Sequence, residues 1–453
     1  MNKKAKIACA MTFCTSALLA DVSVPEVLTV TMSQDSSRQV AINYTLSSAP
    51  AVVTLDIQTN DVASGTWASI GGQHIQRTSG DVFKRVDKTS GTIYWQADLD
   101  WPDHKIKNNG ARAVVTAWAL DNTPDYMVVD ATQSAQPNTQ RYYPAEEFLP
   151  GGILGNDAYR TTHFVMRKIM AKGVHWIMGS VSESGRDAAR EKAHEVVLTN
   201  NYYMGVFPVT QSQWTLVTGN NLSAFTLEAD KAMRPAERIG YNDIRCSAVG
   251  ARKYEGGNWP ANPWSTSFLG LLRDRTGVDF DMPSEAEWEF ACRAGNGEGK
   301  WGNGAAYTNA GEDPNMPGRY SHNVEIAWST VKTNPSAYDA KSGTAIVGSY
   351  GKNAWGLFDM HGNLWEKCLD YWAEDRSNLQ GRVNIDPKNP SVDLNGRTPG
   401  KDDGYPNETW RVRRGGAFDG SASQCRSASR LLSDQSDHDE RQGVRICCRA
   451  GLK

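Results

Sequence analysis

Short apolar runs separated by turn clusters fill the first third of the chain. VLTVTM, QVAINYTL, AVVTLDIQT, GTIYWQADL and ARAVVTAWAL are rich in Val, Ile, Thr, Tyr and Trp. Clusters such as Ser47-Ser48-Ala49-Pro50 and Lys107-Asn108-Asn109-Gly110 break them up. Five strands at this spacing predict a β-sandwich of the immunoglobulin or fibronectin kind over residues 21–132. Trp67, Trp95, Trp101 and Trp118 read as core packing, with a sugar-binding face as the alternative. From Gln133 to Asp157 there are three Pro, three Gly and no period. That composition predicts a linker over 133–161.

The pattern changes at residue 162. FVMRKIMA and HWIMGS read as strands. Thr210 and Gln213 make a capping box that opens a short helix, closed by Gly219. Asn242 is placed to cap DIRCSAVGARKY, and Ser267–Thr276 reads as a further helix stopped by Gly277. Ser284 and Glu287 box a helix that turns Trp288, Ala291 and Cys292 to one inward face. From Gly295 to Gly351 both periods fade, and so long an irregular stretch needs a metal or a disulfide to hold it. Asn353–Trp372 (NAWGLFDMHGNLWEKCLDYW) predicts two strands about a turn at His361-Gly362-Asn363. Asp359 and Glu366 bracket that turn with carboxylates, and Gly362 and Leu364 offer carbonyls. Four oxygens suit half a shell for a hard cation such as calcium; a solvated hairpin is the plain alternative. The tail gives a loop-rich hairpin and a terminal strand, for an α+β whole.

Bulk numbers narrow the function classes. The chain has 453 residues, 40% hydrophobic, with 15 Trp and a formal net charge of -3. That is length for about two to three domains with a large core. Sequence pI is near 6.3 and mean hydropathy is -0.53, so the charge footprint of a nucleic-acid or anionic-membrane binder is missing. Lys3, Lys4 and Lys6 precede an apolar run from Ile7 to Leu19, and Ala20 precedes Asp21. This predicts a signal peptide over 1–20 and an exported product, periplasmic or extracellular. Export leaves six cysteines, Cys246, Cys292, Cys368, Cys425, Cys447 and Cys448, with fifteen ways of forming three disulfides.

Five collinear motifs, FPVTQSQW, RPAERIGYNDIR, MPSEAEWEFACRAG, NAWGLFDMHGNLWEKCLDYW and RRGGAFDGSASQCRSASR, resemble the formylglycine-generating enzyme (sulfatase-modifying factor) family. The resemblance covers residues 162–453 and implies a C-type lectin-like fold with little regular structure. It implies oxidation of a sulfatase cysteine to formylglycine, with copper held by two cysteines five residues apart after the Gly-Gly. Soft thiolates suit Cu(I). Cys425 takes the second of those positions, Gly420 falls on the first, and Ala417 stands where the enzymes carry serine. Cys368, brought near by the resemblance, is a candidate stand-in, with a Cys368–Cys425 disulfide as the alternative. Cys292 would pair with Cys447 or Cys448, which point to opposite faces; the other would pair with Cys246 or stay free. The resemblance also implies calcium on Asp359, Gly362, Leu364 and Glu366.

Three functions follow from it. One is the sulfatase-maturing oxidase. A second, preferred because the copper pair is incomplete, is a binding or assembly protein. It would present the loop Asp419–Gln442 to a protein or glycan ligand, a sulfatase among them, on a β-sandwich stalk. Arg414 and Arg426 would grip that ligand or pair with nearby acids. Third and last is an iron-dependent oxygenase, for which the residues before 162 offer only His74 and His104.

Overall fold

All five N-terminal runs are strands: Val27–Gln34, Val40–Leu46, Ala51–Asp61, Ser90–Trp95 and Ala111–Trp118. The computed structural model describes residues 24–451 except 35–37, 62–63, 106–108, 134–138, 184, 227–229, 246–261, 296, 298–342, 375–378, 382, 387–409 and 421. The leader expected at 1–20 and Cys246 lie outside the described residues. Val40–Leu46 alternates buried and partly exposed positions, the two-residue period of a strand with one face in a core. It lies between Val27–Gln34 and Ser90–Trp95 in one sheet, while Ala51–Asp61 pairs with Ala111–Trp118 in a second. Ile42 and Ile93 from the first sheet and Leu55 and Ile57 from the second share one core. Trp95 is buried there, and the indole of Trp118 donates to Thr54 Oγ1 at 2.9 Å. Trp67 packs beneath the Arg112 guanidinium.

The stretch 133–161 is not a linker. Gln140–Tyr143 is a strand, and Glu146–Phe148 and Asp157–Arg160 are 3-10 turns. Tyr142, Phe148, Leu149 and Tyr159 are buried, and their burial outweighs the Pro and Gly that suggested a loose tether. Gly151 and Gly152 serve a turn, with φ of 77° and 73°. Gln140–Tyr143 and Tyr126–Asp130 continue a five-stranded sheet with His163–Ile169, Tyr202–Gly205 and Cys447–Arg449. The first core also takes in Val165, Val206, Phe207 and Phe358. The N-terminal sheets are therefore built into the rest of the molecule, and the stalk expectation is corrected.

Downstream helices follow their caps. Gln211–Thr218 has the Thr210/Gln213 box and a left-handed Gly219. Phe268–Thr276 is capped by Ser267, and Glu285–Arg293 has the Ser284/Glu287 box. Asn242 is not a cap; it lies inside Tyr241–Arg245, and Asp243 Oδ2 accepts from Gly240 N at 2.7 Å. The described residues are mostly β with few helices.

The expected hairpin at 353–372 does not form. Only Trp365–Tyr371 is a strand. Asn353 converts the first arm into a turn: its Oδ1 accepts from Trp355 N and Leu357 N, and its Nδ2 donates to Ala291 O at 2.9 Å. Asp359 and Asn363 then take φ of 59° and 70°, outside strand geometry. Trp365–Tyr371 pairs instead with Trp410–Arg414, antiparallel, and with Gln442–Gly443, parallel.

Candidate functional site

Strand Trp365–Tyr371 divides the candidate residues between its faces. Cross-strand pairing sets Glu366 beside Arg414 and Lys367 beside Arg413, so alternation sends Glu366, Cys368 and Arg414 to one side and Trp365, Lys367 and Arg413 to the other. The first side meets helix Glu285–Arg293. There Arg414, fully buried, pairs with Glu289 and with Glu285, the latter at 3.3 Å. Arg430 reaches Glu285 at 2.7 Å. Neighbouring cations hold the Glu289 carboxyl below its ordinary range against the effect of burial. Arg426 likewise binds Glu183 at 2.8 Å and Glu191 at 2.6 Å. Both arginines put forward as ligand grips are thus structural ion pairs.

Cys425 lies against the Gly415-Gly416 turn, where φ is 97° and 79°. A Cβ on Gly416 would stand 2.5 Å from Cys425 Sγ, so only glycine fits over the thiol. Burial pushes that thiol up to about 12, and the Asp419 charge adds to the effect. Its backbone carbonyl accepts from His361 Nδ1 at 2.8 Å; burial pushes that imidazole down to about 4. Cys292 Sγ packs 3.6 Å from His361 Nε2 and 3.7 Å from Ser427 Oγ, not on the terminal strand. Cys368 Sγ sits 3.9 Å from Glu366 O. Cys292, Cys368 and Cys425 are buried thiols, and no disulfide joins the described cysteines. The Cys368–Cys425 bridge is thus not present, nor is one from Cys292 to Cys447 or Cys448. Cys447 and Cys448 do face different cores.

Copper does not fit these residues. Cu(I) takes two close sulfurs, whereas Gly420 supplies none and burial disfavours the Cys425 thiolate. The calcium set is also incomplete as it stands. Asp359 Oδ2 accepts from Gly348 N at 2.8 Å, and its Oδ1 is buried without a partner, which suits a cation. Burial pushes that carboxyl up to about 6, and the charge of Glu366 adds to the shift. Glu366, however, is already held by Arg445 at 2.6 Å and by the Trp288 indole at 2.5 Å. Arg445 also donates to the carbonyls of Gly205, Val206 and Phe358. Among the described residues no three His, Cys, Asp or Glu side chains converge as a metal group.

Sequence reasoning overlooked the other side of the strand. Lys367 is buried and donates to Ser433 Oγ at 2.8 Å and Gln442 Oε1 at 2.6 Å. Arg413 is half-buried over the Trp365 ring, with Nε and Nη1 shielded and unbonded. The alternation in WEKCLDY and WRVRR was the available signal.

Mostly β architecture, boxed short helices and a Gly-Gly turn over a buried cysteine define a loop-rich scaffold built around inward-facing ion pairs. The family model for the sulfatase-modifying factor enzyme 1-like domain matches residues 160–450, and the chain belongs to that family. It is 30% identical to the formylglycine-generating enzyme of Bos taurus over 313 residues, 62% of this chain and 73% of that one. It is 30% identical to the formylglycine-generating enzyme of Thermomonospora curvata over 140 residues, 30% of this chain and 38% of that one. The match thus spans little more than a third of that enzyme's length. A solved structure of Treponema denticola variable protein 1 aligns with 64% of this chain and 96% of its own, at TM-score 0.42 and 23% identity.

Proposed function

We propose that this family member binds a ligand or serves in assembly and does not oxidise a sulfatase cysteine. The observation that carries the reading is the lone sulfur: Cys425 is sealed beneath Gly416, and the position five residues earlier is Gly420. The ligand is a protein or a glycan, met by the loop Asp419–Gln442 of a C-type lectin-like domain. The basic and apolar pattern of residues 1–20 supports an exported protein, periplasmic or extracellular.

Cu(I) titration of the reduced, folded chain, with Cys425→Ala as control, is the test. Formylglycine formation in a cysteine-containing sulfatase peptide is followed alongside. No stoichiometric copper and no product are expected. Copper uptake lost in Cys425→Ala, with product formed, would establish the oxidase; the Bos taurus similarity favours that alternative. Calcium at Asp359, Gly362, Leu364 and Glu366 would share Glu366 with Arg445. Added calcium is expected to leave the melting midpoint unchanged, and a rise abolished by Asp359→Ala would assign the ion to those four residues.

A further inference from the structure

We propose that Arg413, stacked on Trp365 and backed by Lys367, binds a singly charged carboxylate group of the ligand. This deepens the binding-protein reading and rests on it. A guanidinium with shielded, unbonded N–H groups is costly to keep, because each lost its water without gaining an acceptor. Arg413 has two such groups, Nε and Nη1. Its strand partner Lys367 spends two of its three ammonium donors on Ser433 and Gln442, neither of them an acid. Arg413 and Lys367, whose ammonium burial pushes down to about 7, therefore stand side by side, and among the described residues no carboxylate is bonded to either.

Acids are near but committed elsewhere. Asp437 Oδ2 accepts from Gln442 Nε2 at 2.7 Å and from Ser433 Oγ at 3.3 Å. Asp439 Oδ1 accepts from Arg441 N at 2.8 Å, and Asp419 Oδ2 accepts from Arg441 Nε at 2.8 Å. Arg441 thus occupies the carboxylates that would otherwise turn to Arg413. These same acids fix the charge of the ligand group. They attract Arg413 through space and repel a dianion such as sulfate or phosphate more than a carboxylate, which brings one charge to the one guanidinium. Planar guanidinium and planar carboxylate also match donor to acceptor. The guanidinium carbon of Arg413 lies over the Trp365 ring, 5.3 Å from its centroid.

The test is calorimetric titration of the folded chain lacking residues 1–20 with four probes. Glucuronate and N-acetyl-Ala-Ala with a free carboxylate distinguish a glycan source from a peptide source. The C-terminal amide of that peptide and inorganic sulfate are the neutral and dianionic comparisons. At least one carboxylate probe is expected to bind saturably, and the amide and sulfate at least about 10-fold more weakly, as befits a lost hydrogen bond to a charged group. Arg413→Gln is expected to weaken the carboxylate probe by a similar factor. If that variant does not fold, Arg413→Met, which keeps a chain over Trp365, takes its place. Saturable binding by neither carboxylate overturns the proposal, as does equal binding of the amide or an unchanged affinity in the folded variant. Copper uptake at Cys425 would instead overturn the binding-protein reading, so the two failures are told apart.

Discussion

Replacing Glu237 by glutamine should stabilise the protein, and more so the higher the pH. Glu237 is fully buried. Its Oε1 accepts from Phe225 N at 3.0 Å, while Oε2 has no partner. Burial pushes the carboxyl from 4.5 to about 7, with the charge of Glu440 adding to it. A carboxyl raised in the folded state binds protons more tightly there than in the unfolded chain. Stability is therefore lost as pH rises from 4.5 through about 7, and the cost is complete above that. At ~1.4 kcal/mol per tenfold in proton affinity, the full cost is about 3 kcal/mol. Glutamine carries no charge at any pH, but its amide N–H groups would face the side where Oε2 is unpartnered, which returns about 1–2 kcal/mol. The expected gain is thus about 1–2 kcal/mol at pH 8, vanishing or reversing at pH 5. Urea unfolding of both proteins at pH 5 and pH 8, followed by tryptophan fluorescence with unchanged slope, measures it. An equal loss of stability at both pH values would refute the reasoning, because it would show that Glu237 is valued for its hydrogen bond and not penalised for its charge.

Glu289→Gln leaves Arg293 and Arg414 buried beside a neutral group and should cost about 3–5 kcal/mol in urea unfolding. Because the Glu289 carboxyl is held below 4.5, its contribution is complete above that pH and lost as pH falls further; the variant should therefore show a weaker acid limb. A chain starting at residue 160, where the family match begins, lacks Tyr126–Asp130 and leaves the edge of His163–Ile169 open. It should aggregate or melt without cooperativity, and a cooperative melt near that of the full chain would contradict the fused-core description. Gly420→Cys needs the flexible end of Gln424, 2.9 Å from the new Cβ, to move aside and the Ala417 carbonyl at 3.2 Å to give slightly. With Ala417→Ser it should gain Cu(I) uptake that the parent lacks, read by titration against Cys425→Ala.

What the sequence made legible was local. The N-terminal strands followed from two-residue alternation, and the helices from Thr210/Gln213, Ser267 and Ser284/Glu287, because caps act within one turn. What it hid was long-range. Gln140–Tyr143 reads as loop since its burial comes from pairing with Tyr126–Asp130, and Trp355–Met360 reads as strand because nothing local shows that Asn353 binds helix Glu285–Arg293. At the site, the motif points to Cys425, Gly420 and Ala417 through their spacing from the Gly-Gly. The charged partners of Arg414, Arg426 and Glu366 stand 79 or more residues away in the chain, for instance Glu289, Glu191 and Arg445, and no spacing rule reaches them.

The residues that carry the family resemblance are largely ones that pack. Gly415 must lack a side chain because a Cβ there would press on the Trp288 ring at 3.2 Å, and Gly416 because Cys425 lies beneath it. Arg414 neutralises Glu285 and Glu289, and Trp288 in turn donates to Glu366. Each of these would be needed whether or not the domain oxidised anything, so the RRGG…C motif testifies to the scaffold more than to the chemistry. The chemistry has to be judged at positions the scaffold does not constrain. Gly420 is one, half-exposed on the loop after the Gly-Gly turn. Arg413 is another, since the strand pairing holds its backbone while its Nε and Nη1 have no partner. At the first of these the chain lacks the sulfur that the motif's copper pair would need, and at the second it carries a guanidinium suited to holding a carboxylate.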